Sequence, residues 1–195
     1  MEQRSLGIYI SVVLISFLIL AGAYTFSRST LDRSQPQTHV YSGNDSQKVL
    51  VYVTRVVDGD TAWVRFPNGT EEKVRFLGVD TPETEEDRNR PNEYDHITDL
   101  RCLTIWGLKA EQFTKEVIEH KQVYLVFDPI SPRRGYYGRL LAYIYLTNGT
   151  DFTAELVKEG YARVYVEGTF EKKEEYLEYQ EEAMKKGLGL WGACG

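Results

Sequence analysis

Cysteine and histidine are scarce in this chain, and neither a basic excess nor internal repetition marks it. Cys102 and Cys194 are the only cysteines among 195 residues, so one intramolecular disulfide is the most that can form. In an exported domain such a pair suits a single bond that ties down the C-terminal tail, with two free thiols as the alternative. His96 and His120 stand alone, on a polar loop and at a helix end, and make no metal or acid-base cluster. The formal net charge of −6 excludes a global attraction to nucleic acid, so a polyanion would need a local basic site or a metal ion. Absence of repeats and of low-complexity tracts from Lys48 onward excludes a repeat array and leaves one domain.

Charge is also missing from residues 7–26, where Ile, Val, Leu and Phe dominate. Such a stretch just spans a hydrocarbon core of roughly 30 Å as a helix. Two readings stay open: a transmembrane signal anchor, or a signal peptide cleaved near Ala21-Gly22-Ala23. Arg4 before the segment and Arg28 and Arg33 after it leave the orientation open on charge alone. Residues 27–47, rich in Ser, Thr, Gln and Asn, read as a polar linker. The first 47 residues hold three acidic and three basic side chains, so the whole −6 belongs to residues 48–195.

That remainder alternates strand and turn signals before helical spacing takes over. Strands are expected at 48–57, 61–66, 72–79, 122–127 and 140–146, with Pro67-Asn68-Gly69-Thr70 as a hairpin turn. Leu103, Trp106, Ala110, Phe113, Val117 and Ile118 recur at helical spacing, a short helix follows near 153–159, and a last one runs from about 170 to 186 before Gly187. Residues 85–99 read as a long polar loop. The class is α+β, and a helix inserted after the third of five strands suggests a Greek-key barrel of OB type with about three packed helices.

Chemistry concentrates in three segments. Arg75, Asp80 and Glu83 fall within nine positions where a strand runs into Thr81-Pro82, so a cation, a hard-metal ligand and a possible base converge, as phosphodiester cleavage requires. Asp58-Gly59-Asp60 is an Asp-Gly turn in which Gly59 permits a positive φ and Asp60 projects from the barrel rim. Tyr136-Tyr137-Gly138-Arg139 follows a basic loop bearing Arg133 and Arg134. Taken singly, each has a structural alternative: a surface ion pair, an Asx turn, a solvated strand end.

Together, "DGDT", "VRFLGVDTPET" and "YYGRLLAYIY" resemble the thermonuclease, or staphylococcal-nuclease-like, family over nearly the whole span from Lys48 to Trp191. The resemblance implies an OB-fold barrel and Ca²⁺-dependent hydrolysis of DNA and RNA that leaves 3′-phosphate ends. It assigns Asp60, Asp80 and the Thr81 carbonyl to one Ca²⁺, Glu83 to general-base action on water, and Arg75 and Arg139 to the scissile phosphate. Two carboxylates and a carbonyl leave places for water and phosphate on an ion that takes six to eight oxygens. Guanidinium groups match phosphate oxygens and stay charged at working pH. Glu83 is expected to be ionised by the neighbouring cations, with activity rising with pH.

Arg134, Tyr137 and Tyr165 are candidate substrate contacts, the tyrosines by hydroxyl or ring stacking, with core or surface roles equally open. Tyr136 stands where the type member has a basic residue, and the loop at 85–101 looks longer and more acidic than its counterpart, so it is placed to add a ligand or restrict access. Three sequons begin at Asn44, Asn68 and Asn148. The expected protein is a monomer acting on DNA or RNA outside the cytoplasm, secreted or held in the membrane through residues 7–26. The alternative is a catalytically silent OB module that only binds nucleic acid or a protein.

Overall fold

A computed structural model describes residues 48–195; the apolar segment 7–26, the linker 27–47 and the sequon at Asn44 lie outside the described residues. β1 (Lys48–Asp58), β2 (Thr61–Arg65), β3 (Glu71–Phe76), β5 (Gln122–Val126) and β6 (Leu140–Leu146) close a five-stranded barrel in the order β1-β2-β3-β6-β5. β1 closes it because it is long: its first half pairs with β5 and its second with β2. Bulges between Val53 and Arg55 and between Val56 and Asp58 break the period-two rhythm, so Val51, Val53 and Val56 all reach the interior. There they meet Ala62, Val64, Val74, Phe76, Val123, Leu125, Ala142 and Ile144.

The third strand differs from the single run expected at 72–79. β3 stops at Phe76, and Gly78, at φ +85° with the Phe170 ring where a Cβ would stand, turns the chain into a separate two-residue strand, β4 (Val79–Asp80). β4 pairs with β7 (Arg163–Val164), which sets Asp80 opposite Arg163.

Helix α1 (Leu100–Ile118) starts on Asp99, whose carboxylate accepts the Cys102 N–H. It buries Leu103, Gly107, Ala110, Thr114 and Ile118. α2 (Phe152–Lys158) and α3 (Lys173–Lys186) follow β6; α3 begins three residues later than expected and ends on Gly187 at φ +62°. A short α4 (Leu190–Cys194), not foreseen from the sequence, completes the fold. The 85–99 loop is ordered by a second apolar cluster: Tyr94 and Ile97 pack with Leu103, Ala183, Leu190 and Trp191. Cys102 and Cys194 are joined in a disulfide, Cα to Cα 5.7 Å, which fixes α4 to the start of α1. Among the described residues, no helix is long and apolar enough to cross a membrane.

Candidate active site

Strand register assembles the site from distant parts of the chain. Thr61 pairs with Arg75 across β2 and β3, so Asp60, in the preceding turn, lies beside the Arg75 backbone. β3 and β6 run parallel, Val74 against Leu140, which brings Arg139, just before β6, alongside the same strand. Asp80 arrives on β4 and Glu83 on the turn that follows.

Gly59 serves this assembly by its size. It does not occupy the positive-φ region expected of an Asp-Gly turn; a Cβ there would stand 2.7 Å from Ala110 Cβ and from Thr81 Oγ1. Only glycine lets the turn lie that close to α1, whose Thr114 hydroxyl donates to the Gly59 carbonyl at 2.7 Å. Asp60 is consequently 1% exposed rather than projecting from the rim. Gly107 does the same for Glu83: a Cβ on α1 at this point would meet the carbonyl oxygens of Pro82 and Glu83 at 2.5 Å. Buried Asn89 clamps the segment from the other side, accepting the Glu83 N–H and donating to the Glu83 carbonyl, each at 2.9 Å.

At the centre, Arg75 donates to Asp60 Oδ1 through Nη1 and to Asp80 Oδ1 through Nη2. The resemblance gives Arg75 to the scissile phosphate; here it pairs with two carboxylates, because two desolvated anions this close need a counter-charge. Asp60 Oδ2 accepts the N–H of Thr81 at 2.9 Å, and its Oδ1 the Thr61 hydroxyl at 3.0 Å. Asp80 Oδ2 accepts from Arg163 Nε at 3.0 Å, and its ion pair with Nη2 measures 2.9 Å. The Tyr94 hydroxyl donates to the Asp80 carbonyl at 3.3 Å. Asp58 is a turn residue, its carboxylate accepting the Asp60 N–H at 3.1 Å.

Burial dominates the electrostatics. It pushes Asp60 up to about 6, against the pull of Arg75 and with a further push from Asp58. Asp80 is also raised, by burial first, with Arg75 and Arg163 opposing and Asp60 adding to the rise. Glu83 lies above its ordinary range too, through partial desolvation and then the charges of Asp60 and Asp80, which outweigh Arg75 and Arg88. The expectation for Glu83 counted a bound cation beside the arginines; among the protein's own groups, burial and two carboxylates outweigh the arginines. The side-chain oxygens of Asp60 and Asp80 that meet at one cationic group are the donor type a hard cation takes. Among the described residues no cluster of three or more His, Cys, Asp or Glu side chains forms a metal cage; the two aspartates meet as a pair on Arg75. Thr81, 5% exposed, adjoins them.

Arg139 has no carboxylate partner among the described residues and lies 5.7 Å from the Tyr137 ring centre. With Arg75, Tyr137, Tyr165 and Phe170 it borders a cavity of about 290 Å³. Tyr137 is 79% and Tyr165 41% exposed. Arg134, a candidate substrate contact, is instead held by Glu72 at 2.8 and 3.1 Å and by the Gly138 carbonyl at 2.7 Å, which staples the 134–138 loop to β3. In the acidic loop Glu85 pairs with Arg88, Glu86 with Arg101 and Glu93 with Arg163, while Asp99 caps α1. Its contribution is Asn89 and Tyr94.

Sequence reasoning missed Arg163, Asn89, Tyr94 and Gly107. Arg163, 8% exposed between buried Ala162 and Val164, carries one usable signal, a cation inside an apolar run.

The sequence profile of the staphylococcal nuclease homologue family matches residues 73–193, which include Arg75, Asp80, Thr81, Glu83 and Arg139 and leave Asp60 outside. An uncharacterised protein of Methanocaldococcus jannaschii is 38% identical, covering 94% of this chain and 93% of its own. Endonuclease YncB of Bacillus subtilis is 36% identical over 89% of this chain and 79% of its own. A thermonuclease of Staphylococcus intermedius is 35% identical over 77% and 80%. The profile spans more than half of the chain, the relatives extend over most of it, and the chain belongs to the staphylococcal nuclease homologue family.

Proposed function

We propose that this protein is a Ca²⁺-dependent nuclease that hydrolyses phosphodiester bonds of DNA, and of RNA, outside the cytoplasm and leaves 3′-phosphate ends. One observation carries the reading: buried Asp60, from the β1–β2 turn, and half-buried Asp80, from β4, converge on the Arg75 guanidinium, with Glu83 close enough to feel both charges. Relatives named endonuclease and thermonuclease support it, and the disulfide suits an oxidising compartment.

Asp60 and Asp80, with the Thr81 carbonyl, would hold the ion. When bound, it would supply a Lewis acid for a phosphate oxygen. Arg75 and Arg139 would offer planar donors to the phosphate oxygens. Glu83 takes the proton of the attacking water, and the seat made by Gly107 and Asn89 fixes where that carboxylate stands.

The test is digestion of single- and double-stranded DNA by the full chain with Ca²⁺ or EGTA, beside Glu83→Gln. Cleavage by the native protein with Ca²⁺, abolition by EGTA and a fall of about 10²–10⁴-fold in the variant are expected. New 5′-hydroxyl ends that accept a kinase label would mark the 3′-phosphate products. Arg75, fully engaged by two aspartates, also suits a binding-only barrel; retained DNA binding with no cleavage under any ion would favour that reading.

A further inference from the structure

A second groove, of about 640 Å³, lies on the other side of Arg139, lined by Trp63, Lys73, Tyr137 and Gly138 with Glu71 and Glu72 at its edge. Strand alternation builds its floor. Val64 in β2 and Val74 and Phe76 in β3 are buried, so Trp63, Lys73 and Arg75 share the opposite, outward face. Trp63 pairs across the ladder with Lys73, and Thr61 with Arg75. Lys73 follows Arg75 on that face after two residues of strand, about 7 Å.

The groove's charges are arranged to suit a polyanion. Glu72 is neutralised by the forked contact with Arg134, and Glu71 by Arg65 at 3.1 Å. Lys73 has no carboxylate partner among the described residues; its Nζ lies 5.4 Å from the Trp63 ring centre. Tyr137 and Arg139 border this groove as well as the 290 Å³ cavity, so one path runs past Arg139 from one to the other.

We propose that this groove is a subsite for the nucleotide adjoining the scissile phosphate on a single strand, with its base stacked against Trp63 and its phosphodiester on Lys73. The proposal rests on the nuclease reading above. Aromatic rings accept any base face, and a lysine ammonium is a point charge that takes a phosphate without demanding a fixed orientation. A duplex keeps its base faces stacked away from such a ring, so a single strand is the form that fits.

Fluorescence anisotropy of the full chain in EGTA, with labelled oligothymidylates of two and about twelve nucleotides, tests it. The native protein is expected to favour the longer strand, and Trp63→Ala and Lys73→Ala each to cut that advantage about tenfold. Trp63→Phe, which keeps a ring, should restore most of it. An advantage unchanged in both Trp63→Ala and Lys73→Ala, or affinities for the two lengths that fall in parallel, would overturn the subsite. If Trp63→Ala fails to fold by circular dichroism, Lys73→Ala and Trp63→Phe still decide. Native protein that cuts DNA while the variants keep the full advantage sinks the subsite alone. Native protein that cuts nothing while the advantage shrinks in the variants sinks the nuclease reading and leaves a nucleic-acid groove.

Discussion

Replacing Gly107 with alanine adds one methyl group to the face of α1 on which the Glu83 segment rests. Helix propensity alone favours alanine by about 1 kcal/mol, so a helix with open space at that point would gain stability. The space is not open: the new Cβ would stand 2.5 Å from two carbonyl oxygens and 2.7 Å from the Glu83 carbonyl carbon, where ordinary contact begins at 3.4 Å. α1 is held by the disulfide and by buried Leu103 and Ala110, so the Pro82-Glu83 backbone is the part that yields, by about 1 Å, against its two 2.9 Å bonds to Asn89. Overpacking of this kind costs about 1–3 kcal/mol, enough to outweigh the propensity gain. Misplacing a catalytic group by about 1 Å costs on the order of 100-fold in rate. The expected variant is therefore folded, about 1 kcal/mol less stable, and about 100-fold lower in kcat. KM should change little, since Arg75 and Arg139 stand on or beside other strands. Initial rates on a quenched single-stranded oligonucleotide with Ca²⁺, run beside thermal unfolding, give both quantities. A variant more stable than the native protein with kcat within about threefold of it would refute the seat, or Glu83 as the base it positions.

Arg163→Met strips Asp80 Oδ2 of both its arginine contacts and leaves a mostly buried carboxylate short of charge; urea unfolding should show a loss of about 2–4 kcal/mol. Glu167→Gln, on the exposed side of the same arginine, should cost less than about 1 kcal/mol, and equal losses would argue against Asp80 as the partner that matters. Asp128 sets an acid limit: burial pushes it up, but the Tyr143 hydroxyl and the N–H groups of Glu171, Ser131 and Ile130 more than offset this and hold it below 3.8. A depressed carboxylate contributes stability above its unfolded-state value and loses it as pH falls through the folded one. Melting temperature should thus drop as pH falls below about 3.8, and Asp128→Asn should flatten that limb; an unchanged limb would assign acid lability elsewhere.

The barrel was legible because its five strands and the α1 face carry local rhythm: β-branched runs, the Asn68-Gly69 turn at φ +86°, and apolar residues three and four apart. What escaped the sequence depends on partners far along the chain. Arg163 and Asp80 are 83 positions apart, and β4 and β7 are two residues each, too short to show a period. Gly59 was noticed for the wrong reason, since a turn glycine suggests a dihedral while its neighbours, Ala110 and Thr81, come from elsewhere. The charged residues of the motif were visible as types, but the sharing of Arg75 between two aspartates was not.

The Cys102–Cys194 bond also divides the domain by how it would carry tension. Force applied between Lys48 and Gly195 passes from Cys102 straight to Cys194, so the 92-residue span between them bears no load. β5, β6, β7 and nearly all the helical structure lie in that sheltered span. β1 to β4, with Asp60, Arg75, Asp80 and Glu83, lie in the loaded part. Stretching would pull out the strands that hold the aspartates and stop at the disulfide, and a reductant would add about 300 Å of extension.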